Sequence, residues 1–228
     1  MSDVILFDFF GTLVRYQPDR TILGYPSSRA LVAELGWEFG HDEFVTAWDV
    51  GSRALESRCA ASLREPSMVD YAAAFAEQVG IELSEQALLA LATTFTGEWA
   101  EHVRPIDGAG EMLVTLGRTH RLGIVSNTND SEMVPRLAAE YFADVSFEHI
   151  VLSVDHGFRK PHPSMYETTL TRFEVESAQA VFVGDSYEPD CVGPTATGMR
   201  ALLIDPTARH PVPAANRLDS VLDLADRV

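Results

Sequence analysis

Short apolar runs punctuate the chain, and most of them end on a polar side chain. Residues 4–7 (VILF) run into Asp8, 122–126 (LGIVS) finish on Ser126, 180–183 (AVFV) run into Gly184-Asp185, and 200–204 (RALLI) run into Asp205. A further run covers 149–152 (HIVL). Continuous stretches of this length, rich in branched side chains, predict strands buried on both faces. Between them the apolar positions recur at helical spacing. Met112, Leu113 and Leu116 do so in 109–117, Val134, Leu137, Ala138 and Tyr141 in 131–142, and Met165, Thr169 and Phe173 in 163–173. Strands alternating with helices predict an α/β fold built on a doubly wound parallel sheet.

Residues 17–103 break the rhythm. They hold Ala/Leu-rich helical stretches near 27–36, 42–62, 67–79 and 84–100, separated by turn signals at Gly36, Gly40, Glu65-Pro66 and Gly80. The pattern predicts an all-helical domain at 17–103, inserted in a core made of 1–16 and 104–228. Pro18 and Pro105 bracket the insert, and the segments near 15–18 and 103–106 read as hinges. The Pro-rich stretch 205–216 reads as a loop, and 217–227 as a short amphipathic helix.

The length of 228 residues suits one domain, or one domain carrying an insertion. Thirty-four acidic residues against seventeen basic ones give a net charge of −17, a field that repels a phosphate backbone and argues against a nucleic-acid partner. No apolar run approaches the ~18 residues of a membrane span. The start, MSDVILFDFF, lacks a basic region and carries acids, so a secretory signal is not expected. Two cysteines, Cys59 and Cys191, make no disulfide framework, and a cytoplasmic setting follows as the expectation. Of the seventeen basic residues sixteen are Arg; Lys160 is the sole lysine. A compact ammonium on a flexible stem is something a guanidinium cannot copy, which singles out position 160.

Ligands of open parallel sheets bind at the carboxyl ends of the strands. Asp8, Ser126-Asn127 and Gly184-Asp185-Ser186 fall there, Asp190 follows closely, and Lys160 lies in the loop before the run at 180–183. Singly, each has an ordinary explanation as a turn or helix cap. Together they supply a carboxylate nucleophile in Asp8, hard oxygen ligands for Mg²⁺ in Asp8 and Asp185, and a hydroxyl and an ammonium, Ser126 and Lys160, for the oxygens of a phosphoryl group.

FDFFGTLV resembles the first motif of the haloacid dehalogenase superfamily, LGIVSNT the second, GFRKPHPSMYE the third and VFVGDSYEPDCVGPTATGM the fourth. They stand in family order, with 118 residues from Asp8 to Ser126, 34 more to Lys160 and 25 more to Asp185. The resemblance implies a Rossmann-like core with a helical cap inserted after the first strand. It implies Asp8, Lys160 and Ser126 as catalytic residues, with Asn127, Phe10 and Gly11 against the substrate. It further implies Mg²⁺ held by Asp8, the Phe10 carbonyl, Asp185 and Asp190. The substrate would be a small phosphorylated molecule, and the protein a monomer or homodimer.

One position departs from the pattern. Phosphatases of the superfamily carry a second Asp two residues after the nucleophile, as acid and base; here it is Phe10. Substitutes would come from His102, Arg104, His41 or Tyr25. The dehalogenase branch resembles this chain at Phe10 and Ser126-Asn127, because a halide leaves without a proton; yet that branch uses no metal and has no counterpart of Asp185, and Arg29 does not match its halide-holding Arg. The reading is therefore a Mg²⁺-dependent phosphohydrolase, with a metal-free 2-haloacid dehalogenase and a non-catalytic binding protein as the alternatives.

Overall fold

The computed structural model describes residues 3–17, 19 and 22–228. In chain order the elements are β1 (Val4–Phe7), β2 (Val14–Arg15), α1 (Pro26–Glu34), α2 (His41–Cys59), α3 (Met68–Val79) and α4 (Glu85–Ala100). There follow β3 (Arg104–Pro105), α5 (Ala109–Leu116), β4 (Arg121–Ser126), α6 (Met133–Tyr141), β5 (Phe147–Leu152), α7 (Ser153–His156) and α8 (Pro163–Phe173). The chain closes with β6 (Ala180–Gly184), α9 (Gly193–Ala196), β7 (Arg200–Ile204) and β8 (Arg217–Leu218). It divides into two compact units, Met1–Arg15 with Arg104–Val228, and Tyr16–Val103.

The first unit is a parallel sheet in the order β5-β4-β1-β6-β7-β8. β1 lies near the middle because all four of its residues are apolar and can be buried on both faces. Its register sets Phe7 beside Ile124 of β4 and Val183 of β6. The chain winds outward from β1 through β4 to β5, then returns to the other side of β1 through β6. This reversal is the point at which a doubly wound sheet opens a crevice at its carboxyl edge, and Asp8, Ser126 and Asp185 follow or end the strands there.

One expectation is corrected. Residues 217–227 do not form one helix: Arg217–Leu218 add a sixth strand, and a 3₁₀ stretch covers Val221–Asp226. The Arg217 guanidinium donates to the carbonyls of His210 and Val212, and Asp205 N–H donates to Leu218 O at 2.9 Å, tying the segment to the end of β7. Pro105 lies in a short strand. It pairs with Val14 in a two-stranded antiparallel ladder, where a residue without an N–H is tolerated at an edge. Pro18 lies outside the described residues.

The second unit is helical. Ser67 and Asp70 cap α3 reciprocally, Gly80 ends it in the left-handed region at φ +71°, and Ser84 caps α4. Its core is aromatic. Phe95 is stacked between Trp48, at 3.7 Å between ring centroids, and Tyr25, at 4.2 Å. Side chains of this size dominate the burial energy, at ~1.5–3 kcal/mol each. One buried carboxylate interrupts the apolar set. Glu98 of α4 accepts from Ser27 N at 2.6 Å, Ser28 N at 3.0 Å and the Ser28 hydroxyl, so it caps the amino end of α1, which has no cap of its own. Among the described residues no helix is long and apolar enough to cross a membrane.

Candidate active site

β1 delivers Asp8 to the carboxyl edge, and its N–H remains in the ladder through Val183 O at 2.9 Å. The carboxylate is buried at 7% exposure, with Oδ1 2.8 Å from Lys160 Nζ. Thr12 Oγ donates to Oδ2 at 3.3 Å. Lys160 is 2% exposed and also reaches Asp190 Oδ1 at 2.8 Å, over the ring of Phe182. Its main chain is fixed by Asn127, whose Oδ1 accepts from Lys160 N at 2.8 Å and whose Nδ2 donates to Lys160 O at 3.0 Å.

Asp190 belongs to a π-helical segment, Tyr187–Val192, directly after β6. Its second oxygen accepts Ser186 N–H at 3.0 Å, so both of its carboxylate oxygens are engaged. A Cβ on Gly184 would stand 2.4 Å from the Asp190 carboxyl, and only glycine allows that approach. Asp185 occupies the open side of the cluster, with Oδ1 accepting from the Ser186 hydroxyl at 3.3 Å. Its other oxygen faces Gly11, where a Cβ would come within 2.4 Å, and the φ of +88° there independently favours glycine. Ser126 is fully buried at the end of β4, with its hydroxyl 3.4 Å from Asn127 O. Phe10 is half-buried, edge-on to Phe9.

One ligand atom from each of Asp8, Asp185 and Asp190 lies within 4.8 Å of the others. Three carboxylates at that separation repel. Among the described residues Lys160 is the cation that bonds to them, and it reaches only two. Desolvation among the surrounding atoms, then the charge of Asp8, push the Asp185 carboxyl up to about 6, against the Ser186 hydroxyl. Burial drives the Asp190 carboxyl upward against the pull of Lys160. Burial alone would discharge Lys160, but the charges of Asp190 and Asp8 overcome it and hold the ammonium above the ordinary lysine range.

Asp8, Lys160, Asp185, Asp190 and Gly11 thus share one site, with Ser126 and Asn127 along its β4 side. Thr12, bonded to Asp8, joins the site as well, and a hydroxyl four residues beyond the acid is its signal in the sequence. Of the substitutes for an acid at position 10, Tyr25 is fully buried in the aromatic stack of the helical unit, so it is a packing residue. His41 Nδ1 lies 3.3 Å from Gly24 O, and Arg29 Nε donates to the same carbonyl. His102 and Arg104 are exposed.

A family model described as haloacid dehalogenase-like hydrolase matches residues 2–194. The chain is 26% identical to a ribulose-1,5-bisphosphate 5-phosphatase of Halopiger xanaduensis, over 91% of this chain and 86% of that protein. Its fold resembles that of a 2-haloacid dehalogenase of Pseudomonas syringae, with a TM-score of 0.71, 22% identity and coverage of 100% and 98% of the two chains. A HAD phosphatase of Thermococcus onnurineus superposes with a TM-score of 0.64 and 23% identity, over 99% and 97%.

Proposed function

The chain belongs to the haloacid dehalogenase-like hydrolase family, and on that premise we propose that it is a phosphohydrolase whose Asp8 attacks the phosphorus of a small phosphorylated substrate. The observation that carries the reading is the group of three carboxylates, Asp8, Asp185 and Asp190, within 4.8 Å and with one lysine between two of them. A metal-free dehalogenation gives no reason to hold Asp185 in that group at the cost of repulsion.

Asp8 forms the new P–O bond as the bond to the leaving group breaks, and the electron pair departs on the leaving oxygen. Lys160 keeps the attacking carboxylate oriented and offsets charge on the phosphoryl oxygens, with the Ser126 hydroxyl beside it. Phe10 and Gly11 line the substrate's side of Asp8. Water then cleaves the aspartyl phosphate and regenerates Asp8. The all-oxygen donor set fits a hard divalent cation. Asp8, Asp185 and the Phe10 carbonyl would hold Mg²⁺, with Asp190 close by, its oxygens already committed to Lys160 and Ser186. When bound, the ion neutralises charge on the transferring group and relieves the repulsion between Asp8 and Asp185.

Phe10 can neither protonate the leaving oxygen nor activate water. General acid–base help is typically worth ~10²–10⁴-fold, so the rate should depend steeply on the leaving group. Acyl and aryl phosphates should outrun alkyl phosphates, and slow hydrolysis of the intermediate should give a burst. The test is a series of phosphate esters of graded leaving-group acidity, run with and without EDTA. Loss of all turnover in EDTA, with a steep dependence, is the expected result. Equal rates across the series would move the proton donor elsewhere, to His102 first. The apolar Phe10 favours one second reading, metal-free hydrolysis of a 2-haloacid, and EDTA-insensitive halide release would establish it instead.

A further inference from the structure

We propose that Asn127 is a positioning residue that acts through Lys160, rather than a side chain that grips the substrate; this rests on the hydrolase reading of the site. The geometry is specific. A side-chain amide has one donor end and one acceptor end, and in Asn127 both are turned on the same residue: Oδ1 takes the Lys160 N–H at 2.8 Å, and Nδ2 gives to the Lys160 carbonyl at 3.0 Å. The amide thus pairs with the Lys160 main chain as a neighbouring strand would, across a gap of 33 residues in sequence.

The ammonium at the far end of that residue is held to within hydrogen-bonding distance of two carboxylates, Asp8 and Asp190, both at 2.8 Å. A lysine stem has four rotatable bonds, so Nζ can meet both acids reliably only if its Cα is fixed. The neighbouring anchors fix the rest of the two loops. Ser153 Oγ accepts Thr128 N–H at 2.8 Å and donates to Thr128 O at 3.1 Å, and His162 caps α8 by accepting Ser164 N–H. Of these anchors, Asn127 is the one that bonds to Lys160 itself. The Asn127 Nδ2 group keeps a second N–H, but the paired contact with the Lys160 main chain fixes the plane of the amide, so its placement serves Lys160.

The sole lysine of the chain makes the proposal testable without turnover. Acetylation by an N-hydroxysuccinimide ester, read by peptide mass mapping, reports Lys160 and otherwise only the terminal amine. In the wild type Lys160 is buried and paired, and should react slowly. In Asn127→Ala labelling should accelerate by ~10-fold or more, as expected for two lost hydrogen bonds, and in Asn127→Asp, which keeps the size and the acceptor but turns an acceptor on the Lys160 carbonyl in place of the donor, it should accelerate by several-fold. Ser153→Ala, which cuts the bonds to Thr128 and leaves the Asn127–Lys160 pair in place, should label at the wild-type rate. The kinetic arm uses a chromogenic aryl phosphate. Asn127→Ala should lower kcat by ~10–100-fold, the scale of a small misplacement of a catalytic group, with little change in KM. In a Lys160→Ala background the same substitution should cost nothing further. Unchanged labelling in both folded Asn127 variants, or a full additional loss in the Lys160→Ala background, would overturn the proposal. If the wild type hydrolyses neither phosphate esters nor haloacids, the hydrolase reading fails, and labelling alone still decides whether Asn127 holds Lys160.

Discussion

The two units each bury acidic groups, and they do it in opposite ways. In the helical unit Glu98 stands in an aromatic core with every nearby need met: two backbone N–H groups and a hydroxyl point at it, and the open end of α1 wants an anion. At the edge of the sheet Asp8, Asp185 and Asp190 crowd together with one lysine, and desolvation, then the charge of Asp8, raises the Asp185 pKa to about 6. A satisfied buried carboxylate is a structural fastening. An under-compensated group of carboxylates destabilises the fold unless a further cation joins it, and this contrast marks the site.

The largest loss that sharpens the contrast comes from Lys160. Replacing it by Arg puts a planar guanidinium where a point charge bonds two acids, and turnover should drop by ~10²–10³-fold, the scale of losing one preorganised donor. Near-normal kinetics for Lys160→Arg would mean that the ammonium is not part of the chemistry. Phe10→Asp works in the other direction. By restoring an acid and base it should flatten the leaving-group dependence and raise alkyl phosphate turnover by up to ~10²–10⁴-fold. An unchanged dependence in a folded variant would show that position 10 does not set it.

Glu98→Ala probes the other side of the comparison. It strands two N–H donors and a hydroxyl, and should cost ~2–3 kcal/mol of stability, or roughly 2–4 °C in Tm per kcal/mol for a chain of this size. The shape of the pH–rate profile should not move. A shifted profile would place Glu98 in the reaction. Asp185→Asn should do the reverse to stability. In Mg²⁺-free buffer the folded state holds the Asp185 proton up to about pH 6, against 3.8 for an ordinary aspartate, so the fold loses stability as pH rises between these values. Asn carries no charge to repel. The variant should therefore match the wild type near pH 4 and melt higher above pH 6. Solvent screening keeps the gain below ~1 kcal/mol. Identical melting at both pH values would remove Asp185 from the repelling group.

Much of this organisation is legible in the sequence, because β1, β4, β6 and β7 are short apolar runs with nearly every position buried, and the acids fall where those runs end. Lys160 stood out by composition alone. What was illegible depends on contacts between distant positions. β8 is two residues long and exists because Arg217 reaches the carbonyls of His210 and Val212. The π-helical turn at 187–192 follows from Asp190 reaching back to Ser186 while it holds Lys160. The two bonds from Asn127 to Lys160 join positions 33 residues apart, and no local pattern announces such a partner. Glu98 left a trace, a lone acid late in the apolar helix LLALATTFTGEWA, but its partners Ser27 and Ser28 are some 70 residues upstream.

The central claim is that the crowded carboxylates at the sheet edge are a cation site and not an accident of packing. Isothermal calorimetry of Mg²⁺ into the metal-free protein at pH 7 tests it most directly, with the wild type beside Asp185→Asn. The account predicts one ion taken up by the wild type, and an affinity at least ~10-fold weaker in the variant, the equivalent of ~1.4 kcal/mol. Equal uptake by both proteins, or none by the wild type, would contradict it.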